Sequence, residues 1–292
     1  MIRSSLKKGI ALARRNMGLS LFLLLVNAIF ALLLTLPFYW KLLTELGKSL
    51  MGKTMLEGFS YSWLVEFNYN NPDFMKTMGY AILPVALLYL LLWSLLSGGI
   101  LELFKPGGEN NRVKRFSSGV ARHIFPFLRL AVISSAVYLF VYWLTMVRLL
   151  DWAEELIEDS PYPQLEFAVG VGIPLLTLSV VFFLDLIFDY ARIRRVIDGT
   201  SSMIVALVKS LLFCFRNLSA VITIYIALLF LAGVLIAIYL AVYRLIPQNE
   251  MVWIAILFLF QEAFMLARMF VRVSTYSCQT AFYLQSKTGR LD

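Results

Sequence analysis

The sequence predicts an all-α integral membrane protein with six transmembrane helices built as three repeated helical hairpins. Three observations predict it. Of 292 residues, 60% are hydrophobic and only 15% charged, with mean hydropathy +0.79, whereas a soluble domain is about half apolar and a quarter charged. Apolar stretches of about 20 residues, enough for a helix to cross roughly 30 Å of hydrocarbon, recur along the chain. Lysines and arginines gather in alternate connections. The short alternating strands of a β-barrel are not seen.

The spans are placed at 19–40, 79–101, 124–146, 168–188, 219–243 and 251–272 of one transmembrane domain covering 1–292. The first follows a basic leader, "RSSLKKGIALARRN", yet it ends in Phe38, Tyr39 and Trp40 without a small-residue cleavage site, so it reads as a retained helix. Lys and Arg fill the N-terminus, the connection after the second span (Lys105, Arg112, Lys114, Arg115, Arg122) and that after the fourth (Arg192, Arg194, Arg195, Lys209, Arg216). The positive-inside rule then predicts that both termini are cytoplasmic. The exterior connections are 41–78, with the aromatic run "FSYSWLVEFNYNN", and 147–167, which carries six acids and no base from 151 to 166. The aromatic run is expected to lie on the membrane or cap the helices. The acids at 151, 154, 155, 158 and 159 share a helical face, either solvated or holding a cation or basic partner.

A Ser-Ser pair opens each hairpin, at Ser4-Ser5, Ser117-Ser118 and Ser201-Ser202, and a basic residue with a polar neighbour precedes each outward span: Arg15-Asn16, Arg122-His123 and Arg216-Asn217. Early prolines, Pro84 and Pro174, mark two of the return spans. Hairpin duplication accounts for this pattern. Interfacial helices are expected before the odd-numbered spans. In the first, Leu6, Ile10, Ala13 and Met17 share one face, and Lys7, Lys8, Arg14 and Arg15 another, suited to anionic head groups of the bilayer.

With "SSMIVALVKSLLFCFRNLSAV" before the fifth span, the pattern resembles bacterial six-helix inner-membrane families of unknown function. One is the membrane domain fused to some glycerophosphodiester phosphodiesterases. The resemblance implies a bacterial inner (cytoplasmic) membrane and a helical bundle. These residues hold no soluble phosphodiesterase domain, so it brings no activity and no site.

Four polar positions inside or near the spans are the candidate functional residues. Glu262 lies about 16 Å into the last span at a rise of 1.5 Å per residue, near the midplane, where a charge costs about 3 kcal/mol. It serves either transport and proton relay or a structural interhelical bond. Asn27, at similar depth, is its expected hydrogen-bond partner, and Arg129 its nearest basic candidate or that of Asp185. Asp185, about 27 Å along the fourth span, reads mainly as the point where a helix leaves the bilayer, with Asp189 and Arg192 one turn apart.

No catalytic, cofactor or metal motif is expected. "DYARIRRVIDG" holds the pieces of a CDP-alcohol phosphotransferase signature in reversed order, and "VGVG" lacks the Lys-Ser/Thr of a phosphate loop. One histidine and two cysteines, expected to be reduced, make no zinc site. The net charge of +8 is read as the cytoplasmic bias of a membrane protein rather than a nucleic-acid surface. The expectation is a non-enzymatic structural or accessory subunit of a larger membrane complex, with other membrane proteins as partners. The alternative is a transporter or lipid-handling permease using Glu262.

Overall fold

A computed structural model describes residues 2–46, 60–107, 111–157, 162–200, 202–247 and 250–288, and every element in them is a helix. In chain order they are α1 (Ile2–Arg15), α2 (Met17–Leu46), α3 (Tyr61–Asn70), α4 (Pro72–Phe104), α5 (Arg112–Tyr142), a π-helical stretch (Trp143–Leu149), α6 (Leu150–Ile157), α7 (Pro163–Asp198), α8 (Met203–Arg216), α9 (Leu218–Leu245) and α10 (Met251–Thr288). Six helices are long and apolar enough to cross a membrane: α2, α4, α5 with its continuation to Ile157, α7, α9 and α10.

These helices outrun the expected spans. Helix α10 has 38 residues, about 57 Å at 1.5 Å per residue and nearly twice the hydrocarbon thickness. Apolar length fixes only the part that must sit in lipid; the polar ends stay helical because protein packs on them. The connection expected over 41–78 is largely helix too. Helix α2 runs to Leu46, Ser60 caps α3 by accepting from the Trp63 amide, and α4 starts at Pro72. Residues 47–59 lie outside the described residues. So do Glu158 and Asp159 of the acidic face and Ser201 of the third Ser-Ser pair.

Only two of the three expected interfacial segments are separate helices. Asn16 and Asn217 break the chain after α1 and α8, and their side-chain amides bond back to the carbonyls of Leu12 and Phe213. Such local bonds compete with helix continuation. The matching position before the third span is His123, whose side chain makes no such bond, and α5 runs through it unbroken.

Two compact units are present, one of Ser94–Thr223 with the end of α10 from Gln279, the other of Arg3–Trp93 with Ile224–Cys278. In the first, α8 lies on α7, where Ser210 donates to the Ile187 carbonyl at 3.0 Å and Phe213 meets the rings of Tyr190 and Tyr283 at 5.1 and 5.2 Å. Helices α4 and α5 approach through glycines. A Cβ at Gly119 would stand 2.6 Å from the Glu102 Cβ, and one at Gly99 2.7 Å from the Phe116 ring. In the second unit, α1 docks on α10 through Ser5, Gly9 and Ala13, all buried. Ser277 donates to the Gly9 carbonyl at 2.8 Å. Phe67 of α3 is buried against Phe38 and Phe74, so the aromatic run covers the ends of α2 and α4.

Candidate functional site

Within each unit the polar positions do not pair as expected. Asn27 does not meet Glu262. Its Oδ1 accepts from the Tyr89 hydroxyl, and its Nδ2 donates to the Leu23 carbonyl at 2.9 Å and to the Met269 sulfur at 3.0 Å. Asn27 is thus level with Met269, about two turns along α10 from Glu262. The polar contact continues through Tyr89, edge-on to Trp93 at 6.0 Å, and Trp93 carries the Arg272 guanidinium over its ring at 3.9 Å. Asn27 therefore ties α2, α4 and α10 together, the interhelical role of an amide inside a membrane bundle.

Glu262 is half-buried and has no hydrogen-bond or ion-pair partner among the described residues. Arg129 is exposed on α5 and does not pair with Asp185 in the same unit. Asp185, exposed on α7, accepts from the Tyr138 hydroxyl at 2.8 Å. Arg192 bonds Asp189 at 2.9 Å, one turn away as its spacing predicted.

The densest polar chemistry lies where the Lys/Arg-rich connections meet the helices, around Glu102 and Asp198, two acids the sequence did not single out. Glu102, at the end of α4, points its carboxyl oxygens at Arg122 Nη1 (3.8 Å) and His123 Nε2 (3.6 Å). Arg115 closes the same helix end by donating to the Glu102 and Lys105 carbonyls, both at 2.7 Å, as a cation at a helix C-terminus does. Asp189 also accepts from Gln279 at 3.3 Å. Asp198 closes α7, accepting from Tyr283, from Lys287 at 3.0 Å and from Arg194 at 3.4 Å. Gly199 follows at φ 63°, the left-handed residue that ends the helix. Asp198 lies beyond the apolar length of α7. Burial pushes its carboxyl up, but the bonds from Tyr283, Lys287 and Arg194 outweigh burial and hold it below the usual carboxylate range.

The signals for these residues were present. Glu102 follows the small-residue run "SLLSGG", which marks a close helix crossing, and Asp198-Gly199 is an acid at a helix stop. The stripe Ser5, Gly9, Ala13 is another close-packing signal. It adds a protein-facing side to α1 that the sequence reading did not name, while Ile10 and Met17 and the bases Lys7, Lys8, Arg14 and Arg15 are exposed. Asp151, Glu154, Glu155 and Glu166 line an open groove. Among the described residues no three His, Cys, Asp or Glu side chains are placed to hold a metal.

These arrangements supply helix clasps and helix-end charge, with buried polar groups on the basic ends of the spans. Comparison with known families, with curated proteins and with solved structures gives no match.

Proposed function

We propose that this chain is a multi-pass protein of a bacterial inner membrane, both termini cytoplasmic, acting as a non-enzymatic structural or accessory subunit of a larger membrane assembly. One observation carries the reading. Glu262, Arg129 and Asp185 sit in apolar helices, yet among the described residues the first two have no hydrogen-bond or ion-pair partner and the third only a tyrosine hydroxyl. An ionisable group in a span costs about 2.5–3.5 kcal/mol unless it is paired, protonated or led to the interface. A neighbouring subunit supplies such pairing. The exposed faces of α1 and α8 suit the cytoplasmic interface: α1 presents Lys7, Lys8, Arg14 and Arg15, and α8 presents Ile204, Val208, Leu212 and Phe215 with Lys209 and Arg216.

The test is native mass measurement in mild detergent of the chain purified from its own membrane, with identification of every co-purifying protein. The expected result is a stable hetero-complex that Arg129→Leu and Glu262→Leu weaken. A lone monomer or homo-oligomer overturns the subunit reading. It would favour a transporter or lipid-handling permease, the role to which the unpaired, half-buried Glu262 is suited, and loss of transport with Glu262→Gln would then be the decisive assay.

A further inference from the structure

The only histidine of the sequence occupies a position that does not satisfy it. His123 is buried in α5 with its ring stacked on Phe127 at 5.5 Å, and neither ring nitrogen has a hydrogen-bond partner. Buried polar atoms in proteins are nearly always bonded, so two orphans on one ring call for a cause. The nearest acceptor is Glu102 Oε2 on α4, at 3.6 Å, beyond hydrogen-bond length and itself unpartnered. The charged groups facing the ring are Glu102 from α4, Arg195 from α7 and Arg122 from its own helix. Arg122 reaches the other Glu102 oxygen only at 3.8 Å.

The backbones of the two helices approach closely around this pair. A Cβ on Gly98 would meet the His123 Cβ at 3.1 Å and the Gly119 carbonyl at 3.2 Å, so the two helices touch there without intervening side chains. Three residues past His123, Pro126 lacks the amide that would bond the Arg122 carbonyl, and α5 is weakened within a turn of the ring. Ser94 of α4 donates to the Phe127 carbonyl at 3.2 Å, just beyond that weak point.

We infer that Glu102 and His123 form a proton-operated latch between α4 and α5. With the ring neutral the two groups keep a separation such as the 3.6 Å of this structure. When the ring takes a proton from solvent, both nitrogens donate, and Nε2–H closes onto Glu102 as a charge-assisted hydrogen bond. Closing it draws the basic ends of the two helices together and stiffens α5 across Pro126. The ring serves because an imidazole changes charge between about pH 5 and 8. The inference does not depend on the subunit reading.

Because the chain has one histidine, ¹⁵N-histidine NMR of the full-length protein in micelles reports this ring alone. The expected result is a single transition from neutral ring to imidazolium below the ordinary imidazole value of about 6.5, because burial opposes the charge more than Glu102 favours it. It lies above about pH 4, where the carboxylate takes its own proton, and is moved to still lower pH by Glu102→Gln. Hydrogen exchange of the amides between 124 and 130, corrected for intrinsic rate, is expected to slow about tenfold across that transition, the worth of one charge-assisted bond. It is expected to stay flat in Glu102→Gln and His123→Gln. A ring that does not change charge in that range overturns the latch in the wild type, without recourse to a variant. A titration unmoved by Glu102→Gln, or the same exchange profile in wild type and variants, also overturns it.

Discussion

Single side chains decide how the spans are tied. Asn27 joins three helices, and replacing it with Leu leaves the Tyr89 hydroxyl to find another acceptor in an apolar setting. Bonds of this kind inside membranes average about 0.6 kcal/mol and reach about 1.7. We expect Asn27→Leu near the upper value, since it removes contacts to both α4 and α10. Tyr89→Phe should cost less, and the double variant less than the sum, as thermal unfolding in detergent will show. Asp198 gives a pH-dependent counterpart. Its folded-state affinity for a proton is depressed, so its contribution is fully present above the unfolded value and is lost as pH falls through the folded one. Asp198→Asn should therefore cost about 1–2 kcal/mol at pH 7. Its difference from wild type should shrink once the pH drops below about 4, the ordinary carboxylate range. Melting curves at pH 7 and pH 3.5 test both halves. Burial pushes the Cys214 thiol up to about 12, Asp189 adds to this and Arg194 opposes it. Since the thiolate is the reactive form, we expect Cys214 to resist maleimide at pH 7.5 until the protein is unfolded.

At the scale of elements, close approach rather than apolar pattern determines which helices meet. A Cβ at Gly9 would stand 2.5 Å from both the backbone Cα and the sulfur of Cys278, so no side chain fits there while α1 stays seated. Overpacking of this kind costs about 1–3 kcal/mol. Gly9→Val should lift α1 from α10 and open Cys278 to maleimide, a result that labelling reads without a functional assay. This contact also explains which parts of the fold could be read in advance. Hydrophobic length located six helices, because crossing hydrocarbon is a one-dimensional requirement. It could not place helix ends, since the polar turns of α10 after Arg272 are held by packing on other elements. Nor could it find the Glu102–His123 pair. Glu102 sits in an ordinary "ILELF" string, and only the folded crossing at Gly98 and Gly119 brings it to the histidine. Asn27 was recognised as a polar residue at depth, but its partner was misjudged because depth gives a level in the membrane and says nothing of azimuth.

For the whole molecule, charge rather than packing should decide which end of each helix faces the cytoplasm. The basic residues lie at the α4–α5 and α7–α8 connections and on α1, and the acids of α6 lie between α5 and α7, at the ends of those two helices away from the basic connections. Moving Lys and Arg across a membrane is opposed, whereas acids contribute little to orientation. Two exposed positions test the outcome. Tyr69, 85% exposed in α3, lies on the side read as exterior; Val113, 78% exposed at the start of α5, lies beside Arg112, Lys114 and Arg115. Both native cysteines are buried and free, so an introduced cysteine should dominate labelling. In intact cells, Tyr69→Cys should react with a membrane-impermeant maleimide once the outer envelope is opened, and Val113→Cys only after the inner membrane is permeabilised. The reverse pattern would put the acidic connections in the cytoplasm and the basic ones outside, contrary to the charge rule. It would also remove the argument that Lys7, Lys8, Arg14 and Arg15 meet cytoplasmic anionic head groups, because that attraction belongs to the cytoplasmic leaflet.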